Sequence, residues 1–326
     1  MTQDRADEGV AKDLVLALSG GVGGAKLALG LSRIVSSDKL VIAANTADDF
    51  EHLGLHVSPD VDTLLYTLAG LDNPETGWGR RDETWTFMKT LATLGGETWF
   101  RLGDGDLAIH VERTRRLRAG EPLSRITRAF ADRFGIAARV VPMTDDRVRT
   151  RIRTTEGWLD FQRYFVQHQC RPTVREFLFD GAASAKPHPD FLAAIRNPKL
   201  RAVIICPSNP FISIEPILAV PGVRYALQQC AAPIVGIAPI IGGDAVKGPT
   251  AKMMRELGLD VSAATVAHRY SDLLDGYIVD HADTALASSL TVPVVPTKAL
   301  MVSLVDREEL ARTALALADR LASAAL

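Results

Sequence analysis

The chain reads as an α/β protein, a Rossmann-like and mostly parallel sheet carrying an inserted helical subdomain. Three observations predict this. Short, unbroken apolar runs of strand length alternate with helix-length amphipathic stretches, as expected of strands buried on both faces. A glycine loop, Ser19 to Lys26, stands between the first apolar run and the first helical stretch. The middle of the chain, from about 72 to 199, turns to helical periodicity instead. With 326 residues and 47% apolar content, one large domain can bury a sizeable core. We expect a single domain over 12–326, its mainly helical insertion at about 72–199, and a polar, frayed start at 1–11.

The elements follow in order. Asp13 to Leu18 is a strand, the glycine loop leads to a helix from Ala25 to about Val35, and Lys39 to Ala44 is the next strand, a right-handed β-α-β opening. Asp60 to Gly70 has helical spacing, with Val61, Leu64, Leu65 and Leu68 on one side. Pro74, Gly77 and Gly79 form a turn-rich entry to helices at Trp85–Leu94, Leu102–Leu117 and Leu123–Phe134. Between Arg147 and Phe165, alternation about the Glu156-Gly157 turn predicts a hairpin and then a short helix; Arg175, Phe177 and Phe179 suggest a further strand. Sheet strands resume at Leu200–Cys206, Pro233–Ile237, Gly276–Val279 and Val292–Val295, with helices at Gly248–Leu257 and Asp306–Leu326.

A net charge of −2 gives no reason to expect nucleic acid or an anionic membrane as partner. Only the basic stretch from Arg113 to Arg153 keeps a polyanion open. Three cysteines, Cys170, Cys206 and Cys230, lack C-x-x-C spacing, which points to a reducing compartment and to packing roles. The polar opening has no signal-like apolar core and no segment approaches a membrane span, so a cytoplasmic protein is expected. His52 and His56 are four apart, but Gly54 between them argues against a helical metal pair.

Asp48, Asp49, Asp60 and Asp62 gather after the strand ending at Ala44, where an open α/β sheet binds its ligands. Helix capping would account for Ser58, Asp60 and in part Asp62, leaving Asp48 and Asp49 unexplained. Mg²⁺ needs one or two carboxylates beside substrate phosphates, and Asp48 with Asp62 would supply them. Gly20, Gly21, Gly23 and Gly24, followed by Lys26, would let a diphosphate approach a helix start. The loop fits neither the dinucleotide fingerprint nor the P-loop. Ser208, Asn209 and Pro210 follow a strand, and Lys247 and Gly248 precede a helix, so three polar loops outline a nucleotide-sized crevice.

Together, residues 18–26, the run from Asn45 to Thr63, Ser208 to Pro210 and Gly243 to Met254 resemble the 2-phospho-L-lactate transferase family, over about Leu14 to Asp283. The resemblance implies a Mg²⁺-dependent, Rossmann-like, commonly dimeric transferase of coenzyme F-420 biosynthesis. Such enzymes move a phospholactyl or phosphoenolpyruvyl group from a guanosine diphosphate-linked donor to the deazaflavin Fo, giving F-420-0 or dehydro-F-420-0 and GMP. The glycine loop, Ser208 to Pro210 and Lys247 would then hold the guanosine diphosphate, and Asp48 and Asp62 the metal, while Asp60 is structural. Asp49 would orient or deprotonate the acceptor hydroxyl. Phe50, Trp85, Trp99 and Phe100 would offer stacking surfaces to the deazaflavin, and Arg101, Arg147 and Arg149 could meet the donor carboxylate. The alternative is a non-catalytic nucleotide-sugar-binding regulator of a neighbouring family, which shares the glycine loop and the Asp pair. The second acidic cluster, at Asp60 and Asp62, favours the transferases. An NAD-linked dehydrogenase is disfavoured by the altered glycine fingerprint.

Overall fold

A computed structural model describes residues 12–324, so the expected frayed start at 1–11 lies outside the described residues. Seven parallel strands form the central sheet: β1 (Leu14–Ser19), β2 (Leu40–Ala44), β3 (Arg139–Pro142), β4 (Leu200–Ile205), β5 (Ile234–Ile237), β6 (Gly276–Asp280) and β7 (Val294–Thr297). Their spatial order is β7-β6-β5-β4-β1-β2-β3. This is the doubly wound order, and the chain reverses direction across the sheet between β1 and β4. A crevice opens there at the carboxyl ends.

Both faces of the sheet are covered, which is why its strands read as continuous apolar runs. Along β1, Leu14, Leu16 and Leu18 enter one core, while Val15 and Ala17 enter the other. Helix α1 (Gly21–Ile34) and the helix Leu304–Ala324 pack on the second face. After a hairpin of Phe50–His52 with Leu55–Val57 comes α2 (Pro59–Ala69), and beyond it α3 (Thr86–Thr93), α4 (Asp104–Arg118) and α5 (Leu123–Arg133).

The expected insertion at 72–199 is less uniform than its periodicity suggests. Its first part is helical, but β3 lies inside that span and joins the edge of the central sheet beside β2. Four residues are too few to show a period, and Pro142 at the strand's end is tolerated because an edge strand needs fewer ladder bonds. The chain then builds a separate antiparallel sheet from Gly157–Asp160, Arg149–Thr154 and Val174–Asp180, in that spatial order.

Much of the basic stretch is paired. Arg113 is buried against Asp62, and Arg115, Arg116, Arg128, Arg139, Arg147, Arg151 and Arg153 each have an acidic partner. The cysteines are free thiols, Cys206 fully buried beside the crevice. Among the described residues no helix is long and apolar enough to cross a membrane.

Candidate functional site

The acidic motif is folded by a turn not expected from its pattern. Leu53 and Gly54 both have positive φ, 53° and 71°, the conformation of a two-residue hairpin turn. It pairs Phe50 with Val57, Glu51 with His56 and His52 with Leu55. Asp49 and Ser58, next outward on each side, are thereby brought together. Ser58 Oγ donates to Asp49 Oδ2 at 2.9 Å, and the His56 ring nitrogen Nε2 lies 3.0 Å from the same oxygen. A carboxylate accepts, so Nε2 carries the proton of that bond. Asp49 Oδ1 is buried and has no partner.

Asp48 faces the same space from the end of the β2 loop. Its Oδ1 is also buried without a partner. Burial, and then the nearby Asp60 carboxylate, holds the Asp48 carboxyl well above the usual range. Asp60 is pushed up to about 6, chiefly by burial, against the opposing hydrogen bonds from Asn45 and the Gly21 N–H. Asn45 ties these parts together. Its Nδ2 donates to Asp60 Oδ2 at 2.9 Å and to the Ile212 carbonyl at 3.2 Å, while its Oδ1 accepts from Ala47 N.

The acid beside Asp48 is Asp60, where the sequence suggested Asp62. Residues two apart on a helix point to nearly opposite sides, and α2 turns Asp60 toward Asp48 but Asp62 toward α4. There the guanidinium of Arg113, 1% exposed, donates to both Asp62 oxygens, with His110 beside them. Asp62 is thus committed to a buried ion pair on the α4 side of the helix. The expected cap is also absent: Ser58 stands at the N-cap of α2, yet its hydroxyl serves Asp49.

Most of the glycines in the loop answer to packing. A Cβ at Gly23 would stand 2.2 Å from the Pro207 carbonyl oxygen, and one at Gly24 would meet the Ser19 and Ser208 hydroxyls at 2.4 and 2.7 Å. A Cβ at Gly20 would lie 2.7 Å from Asp60 Oδ2. Gly21 alone of the four borders open space, at φ 64°, and it begins α1, so the helix extends one turn further into the loop than expected. Its first turn presents N–H groups to the crevice. Ser208 Oγ accepts from Gly20 N at 3.3 Å, and Asn209 Oδ1 accepts from Phe211 N and Ile212 N. Pro210 is buried. Those three residues thus brace the crevice wall, with the Ser208 hydroxyl and Asn209 side chain already engaged. Lys26 Nζ donates to the Met301 carbonyl at 3.0 Å, and Lys247 Nζ to the Thr76 carbonyl. Burial lowers both pKa values, and Arg307 and then Lys247 lower that of Lys26 further, so these cations share one region. Gly248 follows, exposed and at positive φ.

Phe50, Trp99 and Phe100 form one half-buried aromatic cluster, with ring centroids 4.8 to 6.1 Å apart, and His52 packs against Trp99 at 5.0 Å. Trp85 is apart from it, under the Arg101 guanidinium. Of the three arginines, Arg147 pairs with Asp180 on the surface. Arg149 is half-buried and feels Asp49, Glu51 and Asp48. Its strand is pinned to the acid loop by Thr150 N donating to the Ala47 carbonyl at 2.7 Å.

Unpartnered, crowded carboxylate oxygens fit a bound cation. Among the described residues no three His, Cys, Asp or Glu side chains form a metal set on their own. Two carboxylates and the oxygens of a bound phosphate would suit Mg²⁺. The same arrangement can position a hydroxyl against a phosphate.

Residues 15–315 match the family described as 2-phospho-L-lactate transferase CofD. The chain belongs to that family. It is 40% identical, over 94% of its length and 98% of the relative, to a phosphoenolpyruvate transferase of Kitasatospora aureofaciens. A phosphoenolpyruvate transferase of Streptomyces coelicolor is 39% identical, over 95% and 99% of the two chains. One from Mycobacterium tuberculosis is 38% identical over 86% and 92%. A crystal structure of a UPF0052-family protein of Bacillus halodurans superposes with a TM-score of 0.62 over 94% of this chain and 100% of that one, at 16% identity, a likeness of fold. As a member of the 2-phospho-L-lactate transferase family the chain is a transferase of coenzyme F-420 biosynthesis.

Within this transferase, the residues whose place in the site the sequence pattern does not single out are His56, Asp60 and Arg113. Gly54 stands at the second position of a two-residue turn, with short strand-like stretches on either side. Nothing local in the sequence marks Arg113 as buried.

Proposed function

We propose that this transferase moves a phosphoenolpyruvyl group from a guanosine diphosphate-linked donor to a hydroxyl of the deazaflavin Fo, releasing GMP and giving dehydro-F-420-0. The observation that carries the reading is the set of buried carboxylates of Asp48, Asp49 and Asp60 facing the start of α1 at the β1/β4 crevice, with Asp48 and Asp49 each left unpartnered at Oδ1. The names of the most similar relatives favour the enolpyruvyl donor over the phospholactyl one.

In this reading the donor diphosphate lies at Gly21, where the α1 N–H groups and the partial positive charge of the helix end meet its oxygens. Lys26 and Lys247 would add positive charge to the same region. Asp48 and Asp60 would hold Mg²⁺, which supplies neutralisation of phosphate charge when bound. Asp49 Oδ1 orients the acceptor hydroxyl and takes its proton as the oxygen attacks phosphorus and GMP departs on the opposite side. Phe50, Trp99 and Phe100 face the flat ring, and Arg149 meets the donor carboxylate. Water is excluded by the burial of the acid loop. The homodimer and the cytoplasmic location belong to this proposal too, on the strength of the family.

The test is mass spectrometry of the product formed by purified protein from Fo, Mg²⁺ and either guanylated phosphoenolpyruvate or guanylated phospholactate. Enolpyruvyl product with GMP is expected; product from the lactyl donor alone would reverse the donor assignment, and no product from either would end the proposed reaction.

A further inference from the structure

Asp49 differs from the other buried acids in how it is held. Two donors, Ser58 Oγ at 2.9 Å and His56 Nε2 at 3.0 Å, converge on Oδ2, and Oδ1 is left buried with none. A carboxylate with a purely structural role is satisfied at both oxygens, as Asp62 is by Arg113. Ser58 gives the second indication. It occupies the N-cap of α2, where its hydroxyl could satisfy a free N–H of that helix, yet it makes no cap bond. The third is the support behind His56. Its backbone N donates to Thr114 Oγ at 2.7 Å, and that hydroxyl in turn donates to the His110 carbonyl, so α4 fixes the imidazole's own strand. The His56 side chain is only 16% exposed, which limits the positions its ring can take.

We propose that His56, with Ser58, is a positioning residue that clamps Oδ2 of Asp49 so that Oδ1 alone is presented to the acceptor hydroxyl. This rests on the transferase reading above and adds the device that aims its acid. The chemistry requires only a hydrogen-bond donor at the Nε2 position, not an ionising ring. A carboxylate held by one bond can rotate about its terminal torsion, which is broad, whereas two donors on one oxygen fix the other oxygen's direction. Misaiming by about 1 Å costs on the order of 100-fold in rate.

The test compares kcat, the KM values for Fo and for the guanylated donor, and the melting temperature in the wild type, His56→Ala, His56→Gln and Ser58→Ala. His56→Ala is expected to lower kcat about 100-fold with both KM values nearly unchanged. His56→Gln, whose amide nitrogen can stand where Nε2 stands, is expected to restore most of that loss. Wild-type kcat in His56→Ala would overturn the proposal, and so would a His56→Gln enzyme as slow as His56→Ala at an unchanged melting temperature. Should His56→Ala not fold, Ser58→Ala decides: a fall in kcat at constant KM supports the clamp, and an unchanged kcat refutes it. A wild type inactive with every donor would instead bring down the transferase reading on which the clamp depends.

Discussion

Asp62 is bound at both oxygens by the buried guanidinium of Arg113, while Asp60, two residues earlier on the same helix, turns to Asn45 and Gly21. The pair joins α2 to α4, so it anchors the helical insertion to the sheet. Removing one partner leaves an uncompensated buried charge. Asp62→Ala is expected to lose about 3–5 kcal/mol of stability in urea unfolding. Asp62→Leu combined with Arg113→Met should recover much of it. Equal losses in the single and double variants would contradict the ion-pair account.

Asp48 should behave in the opposite way. Its carboxyl is crowded by Asp60 and unpaired at Oδ1, so Asp48→Asn is expected to leave the melting temperature unchanged or raise it while abolishing transfer. Retained activity would remove Asp48 from the cation site.

The pH dependence has a definite sign. Asp60 has a folded pKa of about 6 against an ordinary value of 3.8, so the folded state holds the proton more tightly than the unfolded chain. Its contribution favours folding at low pH and is lost as pH rises from about 4 through 6, the reverse of a paired carboxylate. Melting curves of the ligand-free wild type and Asp60→Asn across that window should diverge, the wild type losing stability relative to the variant as pH rises. Added Mg²⁺ at neutral pH should stabilise the wild type more than the variant. Parallel pH profiles would refute the assignment.

Leu53 occupies the left-handed region, which costs a branched side chain about 1–2 kcal/mol. Leu53 is partly exposed, and Asn before Gly is the preferred residue pair for such a turn. Leu53→Asn is therefore expected to stabilise the protein by about 1 kcal/mol, read as a higher urea midpoint, with kcat unchanged.

Glycines of the loop should separate by cause. Gly23→Ala places a methyl against the Pro207 backbone and should severely destabilise the chain. Gly21→Ala meets no atom within 4 Å but carries the strain of positive φ, so it should fold with a loss of about 1–2 kcal/mol. Similar stabilities for the two variants would deny that packing explains Gly23.

The central sheet was legible because its five inner strands are apolar runs with both faces buried, a pattern that needs no knowledge of neighbours. β3 escaped, being a four-residue edge strand ending in Pro142. Among the aromatics, Phe50, Trp99 and Phe100 meet in one cluster, while the Trp85 ring lies under Arg101. Both kinds of tryptophan look alike in sequence, because burial against a distant element leaves no local period.

The sequence by itself determined the Rossmann-like, mostly parallel α/β class, the glycine turn into the first helix, the gathering of four acids after the second strand, and the family. Those are properties of local pattern and short spacing. Which acids face one another was decided only by the tertiary structure. The Leu53-Gly54 turn set Asp49 against Ser58 and His56, the pitch of α2 separated Asp60 from Asp62, and Arg113, 51 residues further along, took Asp62 out of the site. A charge finds its partner through space, and the low dielectric of the interior makes that partner decisive.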